Sequence, residues 1–134
     1  MTAVTPQARV PSAPEMQVIR EVTVSDTVLP TKREDGINCA DHDELMVLVT
    51  PKPGASALTV EAHFWSENFD GGAGANGKFV PEGTPQTITM GANGVMKIIR
   101  VGHAKSVWFH ATGLAGAGAR IEVSGIPVFG QSGG

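Results

Sequence analysis

Beyond residue 15 the chain alternates apolar and polar residues with a period of two, the spacing of a half-buried β-strand and not of a helix. From Leu58 to Trp65, Leu58, Val60, Ala62 and Phe64 fall on one side and Thr59, Glu61, His63 and Trp65 on the other. Ser106 to Thr112 repeats the pattern with Val107, Phe109 and Ala111 inward, and Ala119 to Val123 does so with Ile121 and Val123. Between Met16 and Val24 the residues Val18, Val22 and Val24 share a side that Arg20 interrupts, which predicts an edge strand. Leu45 to Val49 is apolar throughout and predicts a central strand covered on both faces. No segment sustains apolar residues at helical spacing.

Turn residues punctuate these strands. Thr31 to Asp43 is a polar loop with Asp35-Gly36 at a turn, and Pro51, Pro53 and Gly54 close the next strand. Asn93-Gly94 predicts a hairpin that pairs Thr87 to Met90 with Val95 to Val101, because both residues tolerate positive φ. The run Gly-Leu-Ala-Gly-Ala-Gly joins the last two strands into a meander. Residues 68 to 78, rich in glycine, are too long for a tight hairpin and suggest a crossing between sheets or a surface that meets a partner. The expectation is an all-β antiparallel β-sandwich or jelly roll of seven to eight short strands over residues 16–128, with an extended arm at 1–15 and a flexible tail at 129–134.

Composition narrows the picture. A chain of 134 residues is one domain, and 17 glycines with 9 prolines are too many for a helical bundle of that length. Ten basic against thirteen acidic residues, with the one basic pair Lys32-Arg33 answered by Glu34-Asp35, leave no stripe for nucleic acid. Nowhere do 18 apolar residues run together, and the first residues lack the basic start and apolar stretch of a secretory signal. Synthesis in a cytoplasm without secretion is expected. The single Cys39 rules out an internal disulfide and reads as a buried thiol or an intermolecular link.

The arm is the first functional candidate. Pro6, Pro11 and Pro14 block helix and ladder hydrogen bonds alike, so Val4, Arg9 and Val10 sit in a chain suited to lie extended on a partner. Fifteen extended residues reach up to roughly 50 Å.

Chemistry-bearing groups are few. Cys39 to Glu44 holds Asp41, His42 and Asp43, weak candidates for a metal, against the reading of a solvated loop leading into a strand. His63-Phe64-Trp65 and Trp108-Phe109-His110 are mirror images that place Phe inward and His and Trp outward. If those strands are neighbours, His63, Trp65, Trp108 and His110 form one outer patch, either a platform for sugar rings or an interface covered by a loop, the arm or another subunit. A cupin-type metal enzyme needs a second imidazole where this sequence has Trp65. No Gly-x-Ser-x-Gly elbow occurs, and His103 between Gly102 and Ala104 reads as a turn residue. Lys78 ends a glycine run with no Ser or Thr after it and no helix to follow, so it makes no phosphate cradle. No cofactor is expected.

A sandwich with a Pro-rich arm, turns rich in Gly, Ala and Thr, and the closing stretch Trp-Phe-His-Ala-Thr-Gly-Leu-Ala-Gly-Ala-Gly-Ala-Arg-Ile-Glu-Val-Ser-Gly-Ile-Pro-Val resembles the small accessory proteins of tailed-bacteriophage virions. The resemblance covers the chain in style. It implies a non-enzymatic capsid decoration protein or neck or tail adaptor that sits on a lattice of other virion proteins, such as the major capsid protein, often as a homo-oligomer. The alternatives are a carbohydrate-binding module using Trp65 and Trp108 and, third, a metal-dependent enzyme.

Overall fold

The computed structural model describes residues 16–40, 42–67, 77–102 and 104–126. Among the described residues nine strands run in chain order: β1 Gln17–Val22, β2 Ile37–Asn38, β3 Glu44–Pro51, β4 Ala57–Ser66, β5 Lys78–Val80, β6 Thr87–Met90, β7 Val95–Arg100, β8 Ser106–Ala115 and β9 Ala119–Ile126. A 3-10 turn, η1, spans Arg33–Asp35. Sheet I has the order β1-β9-β3-β7, and sheet II the order β2-β8-β4-β5 with β6 also on β4. All pairings are antiparallel. The protein is a β-sandwich.

The partners nest. β1 pairs β9, β2 pairs β8, β3 pairs β7, and β4 pairs both β5 and β6. The chain is one antiparallel ribbon folded across two sheets, so every connection from β1 to β4 and from β6 to β9 passes from one sheet to the other. Leu45, Val47, Val49, Ile121 and Val123 from sheet I meet Leu58, Val60, Ile88, Met90 and Phe109 from sheet II, all at 1% exposure or less. Each such side chain contributes on the order of 1.5–3 kcal/mol of transfer free energy. The inward sets anticipated for β4, β8 and β9 are the ones observed.

Several local expectations are corrected. β6 and β7 do not form a hairpin: β6 lies in sheet II and β7 in sheet I. The Gly91 carbonyl accepts the Gly94 amide at 3.1 Å, and Gly94 has φ +80°, but no non-glycine residue among those described has positive φ. Asn93 therefore does not supply the twist of a type I′ turn, and the strands part at a corner. Side chains tie the two strands together at the end away from that corner. The Gln86 amide donates to the Arg100 carbonyl at 2.7 Å, its oxygen accepts the Arg100 N–H at 2.8 Å, and Lys97 Nζ donates to the Thr87 carbonyl at 2.8 Å.

β8 and β9 likewise lie in opposite sheets, so the chain does not end in a meander. The glycine-rich connection is not a crossing, since it joins β4 to β5 within sheet II and Ser66 pairs with Lys78. Residues 68–76 themselves lie outside the described residues. β3 is central as expected but covered on one face only: Met46 and Leu48 point outward and are half-buried. The polar loop carries η1 and β2, and β5 is a further short strand, because pairing with β8 and β4 captures segments too short to show a period.

In β1 the register slips between Val18 and Arg20, a bulge that reverses the faces. Val18 is consequently exposed, at 41%, while Ile19 packs on the core; Val24, also exposed at 71%, lies beyond the end of β1. Arg20, registered with the inward Ile121, is turned toward the opposite sheet.

Candidate functional site

β4 and β8 are neighbours, with His63 opposite Trp108, Ala62 opposite Phe109, and Glu61 opposite His110. Since side chains alternate across a strand, Phe109 goes into the core and His63, Trp65, Trp108 and His110 share the outer face of sheet II. The mirrored aromatic triplets thus meet as the sequence implies. His63 and His110 stand edge to face with ring centres 5.4 Å apart. The Glu61 carboxylate accepts the His63 Nε2–H at 2.8 Å, which leaves Nδ1 as the acceptor.

The two indoles are held from opposite ends. Trp65 meets Phe79 edge to face at 5.0 Å. Phe79, registered with Trp65 on the outer face, is nevertheless 1% exposed. The turn after η1 closes over it: a Cβ at Gly36 would overlap the Ser106 hydroxyl and come within 2.8 Å of Phe79 Cζ. This is a small second core outside the sandwich.

Trp108 lies under Arg20, whose guanidinium carbon is 4.5 Å from the ring centre. Arg20 reaches it around the sheet edge. It donates to Asp26 Oδ2 at 2.9 Å and Oδ1 at 2.8 Å, and to the Phe109 carbonyl at 2.9 Å. Asp26 Oδ2 also accepts the Ala111 N–H at 2.8 Å, and the Asp26 N–H donates to the Ala111 carbonyl at 2.7 Å. His110 Nδ1 is 3.6 Å from the same carboxylate. Burial alone raises the Asp26 pKa, but the Arg20 and Ala111 hydrogen bonds and the nearby positive charge outweigh it, so Asp26 ionises below the usual carboxylate value.

Burial pushes the His63 imidazole below its ordinary value against the opposing pull of Glu61. The folded protein therefore keeps His63 neutral where the unfolded chain takes up a proton, and stability is lost as pH falls below about 6.5. Urea unfolding at pH 5.5 should show a lower free energy than at pH 7.5. In His63→Gln that difference should shrink, and an unaltered difference would refute the assignment.

The remaining candidates do not converge. His42 is buried, with its ring against Gly125, while Asp43 is exposed and its backbone carbonyl accepts the Val101 and Gly102 amides. Asp41 and His103 lie outside the described residues, as do the arm residues Val4, Pro6, Arg9, Val10, Pro11 and Pro14. Among the described residues no three metal-ligating side chains gather. Cys39 is fully buried with Sγ 3.4 Å from the Ala104 carbonyl, and burial pushes its thiol up to about 12, which removes the reactive thiolate at neutral pH.

Arg20, Asp26 and Phe79 are the site residues that sequence reasoning missed. Only Arg20 left a trace, as the charge breaking an apolar alternation. The chain matches no known family model, no curated protein and no solved structure.

Proposed function

We propose that the protein is a non-catalytic attachment protein, an accessory structural component of a tailed-phage virion that docks on the lattice of the major capsid protein through residues 1–15 and contacts between its own copies. The contrast between the two outer faces carries this reading. On sheet II, Arg20 covers Trp108, Phe79 receives the edge of Trp65, and Glu61 holds His63. On sheet I, Val18, Met96 and Ile98 stay exposed at 41%, 57% and 50%. Reactive groups turned to internal contacts and apolar groups left open suit binding to protein, not turnover. We read the nested strand order as that of a jelly roll, an architecture shared by viral capsid and lectin domains.

Co-sedimentation with shells of the major capsid protein encoded in the same genome tests the proposal. The full chain should bind, and the chain lacking residues 1–15 should bind at least tenfold more weakly while keeping its β-rich circular dichroism spectrum. Equal binding by both chains refutes the role of the arm, and no binding by the full chain refutes the attachment reading. Because Trp65 and Trp108 do share one face, glycan binding is the second reading. A glycan response that disappears in the Trp65→Ala, Trp108→Ala double variant would move the function there.

A further inference from the structure

The outer face of sheet I carries an exposed apolar strip. Met46 and Leu48 of β3 are registered with Ile98 and Met96 of β7. On the far side, Val18 of β1 is registered with Glu122 of β9, which is itself registered with Leu48. Glu122 interrupts the row on β9, so the contiguous apolar strip is Met46, Leu48, Met96 and Ile98 on the neighbouring strands β3 and β7, with Val18 standing apart from it. Isolated exposed apolar residues are ordinary, but a contiguous row on a sheet marks a contact surface.

The arm has a matching pattern. Val4, Pro6, Ala8 and Val10 occupy every second position, and Thr5, Gln7 and Arg9 the positions between. An extended chain would set the four apolar residues along one side over about 20 Å, enough to span the strip. The arm also starts at the right place. It precedes Gln17 on β1, the edge strand of this same sheet, and Pro11 and Pro14 prevent it from simply prolonging that strand. In the single chain Met96 and Ile98 are half exposed, so the strip is available to a segment from outside.

We propose that the strip is the receptor for residues 4–10 of a second copy of this chain, so that two or more copies exchange arms. The inference rests on the reading of the arm as a contact segment and names one surface that receives it. Exchange in a closed ring or pair makes each arm contact twice over, so the copies hold together without a large interface between their sandwiches.

Sedimentation equilibrium and mixed cross-linking test this. The full chain should be oligomeric. Val10→Asp and Ile98→Asp should each shift it to monomer with an unaltered circular dichroism spectrum, because both positions face outward or lie in the arm. Oxidising a mixture of Ala8→Cys and Ile98→Cys chains should give a covalent pair joining one chain of each kind. The buried native thiol of Cys39 does not compete. A monomeric full chain, oligomers that survive both Asp variants, or a purely intramolecular disulfide in the Ala8→Cys, Ile98→Cys double variant would each overturn the exchange. These outcomes separate from the capsid test: shell binding that needs the arm, by a chain that is monomeric throughout, keeps the attachment reading and removes this one.

Discussion

Asp26→Ala is expected to lower the unfolding free energy by about 2–4 kcal/mol, measured by urea denaturation at pH 7. The carboxylate holds both guanidinium nitrogens of Arg20 and the Ala111 N–H, and the pair is well shielded, with side chains 19% and 13% exposed. Removing it strands a guanidinium between Trp108 and the Phe109 carbonyl and leaves a strand-edge amide without its acceptor. Asp26→Asn keeps an acceptor for Ala111 and should recover part of the loss. The pH dependence has a definite sign. Asp26 ionises more readily in the folded protein, so its contribution is complete above the ordinary value of 3.8 and disappears as pH falls below it. A change below about 1 kcal/mol in Asp26→Ala at neutral pH would mean that the clamp does not hold the 25–26 segment to β8.

Phe79→Ala should cost about 3–5 kcal/mol, the range for deleting a fully buried aromatic ring, although Phe79 is on the outer face of sheet II and not between the sheets. For a domain of this size the midpoint of thermal unfolding should drop on the order of 10 °C. The cavity would open under Gly36 and beside Trp65, so the same variant should also raise the rate of proteolysis in residues 31–36. Phe64→Ala is the control, since Phe64 is only half-buried at the margin of the main core and should cost less. If Phe79→Ala is the milder of the two, the second core contributes little and the turn after η1 is held by its hydrogen bonds instead.

The two variants probe features of different legibility. That His63, Trp65, Trp108 and His110 occupy one face followed from alternation along two strands, each a local property. That Trp108 lies beneath Arg20 did not, because the bond from Arg20 to the Phe109 carbonyl spans 89 positions and depends on a bulge that no composition signal marks. The Asn93-Gly94 turn shows the same limit from the other side. A strong hairpin dipeptide predicts a reversal of direction, and the chain does reverse there. Whether the flanking strands then pair with each other is decided by β3 and β4, which take β7 and β6 into ladders in opposite sheets.

By itself the sequence determined the class of fold, the inward residues of β4, β8 and β9, the aromatic patch and the absence of a helical period, because side-chain alternation is written residue by residue into the chain. Only the tertiary structure decided which strands share a sheet, which way Arg20 turns, how Phe79 came to be buried, and that Met46 and Leu48 are left on an open face. Ladder hydrogen bonds join backbone groups that are the same in every residue, so a strand's own residues fix its two faces but not its neighbours. The neighbours are selected by how all nine strands together cover one core.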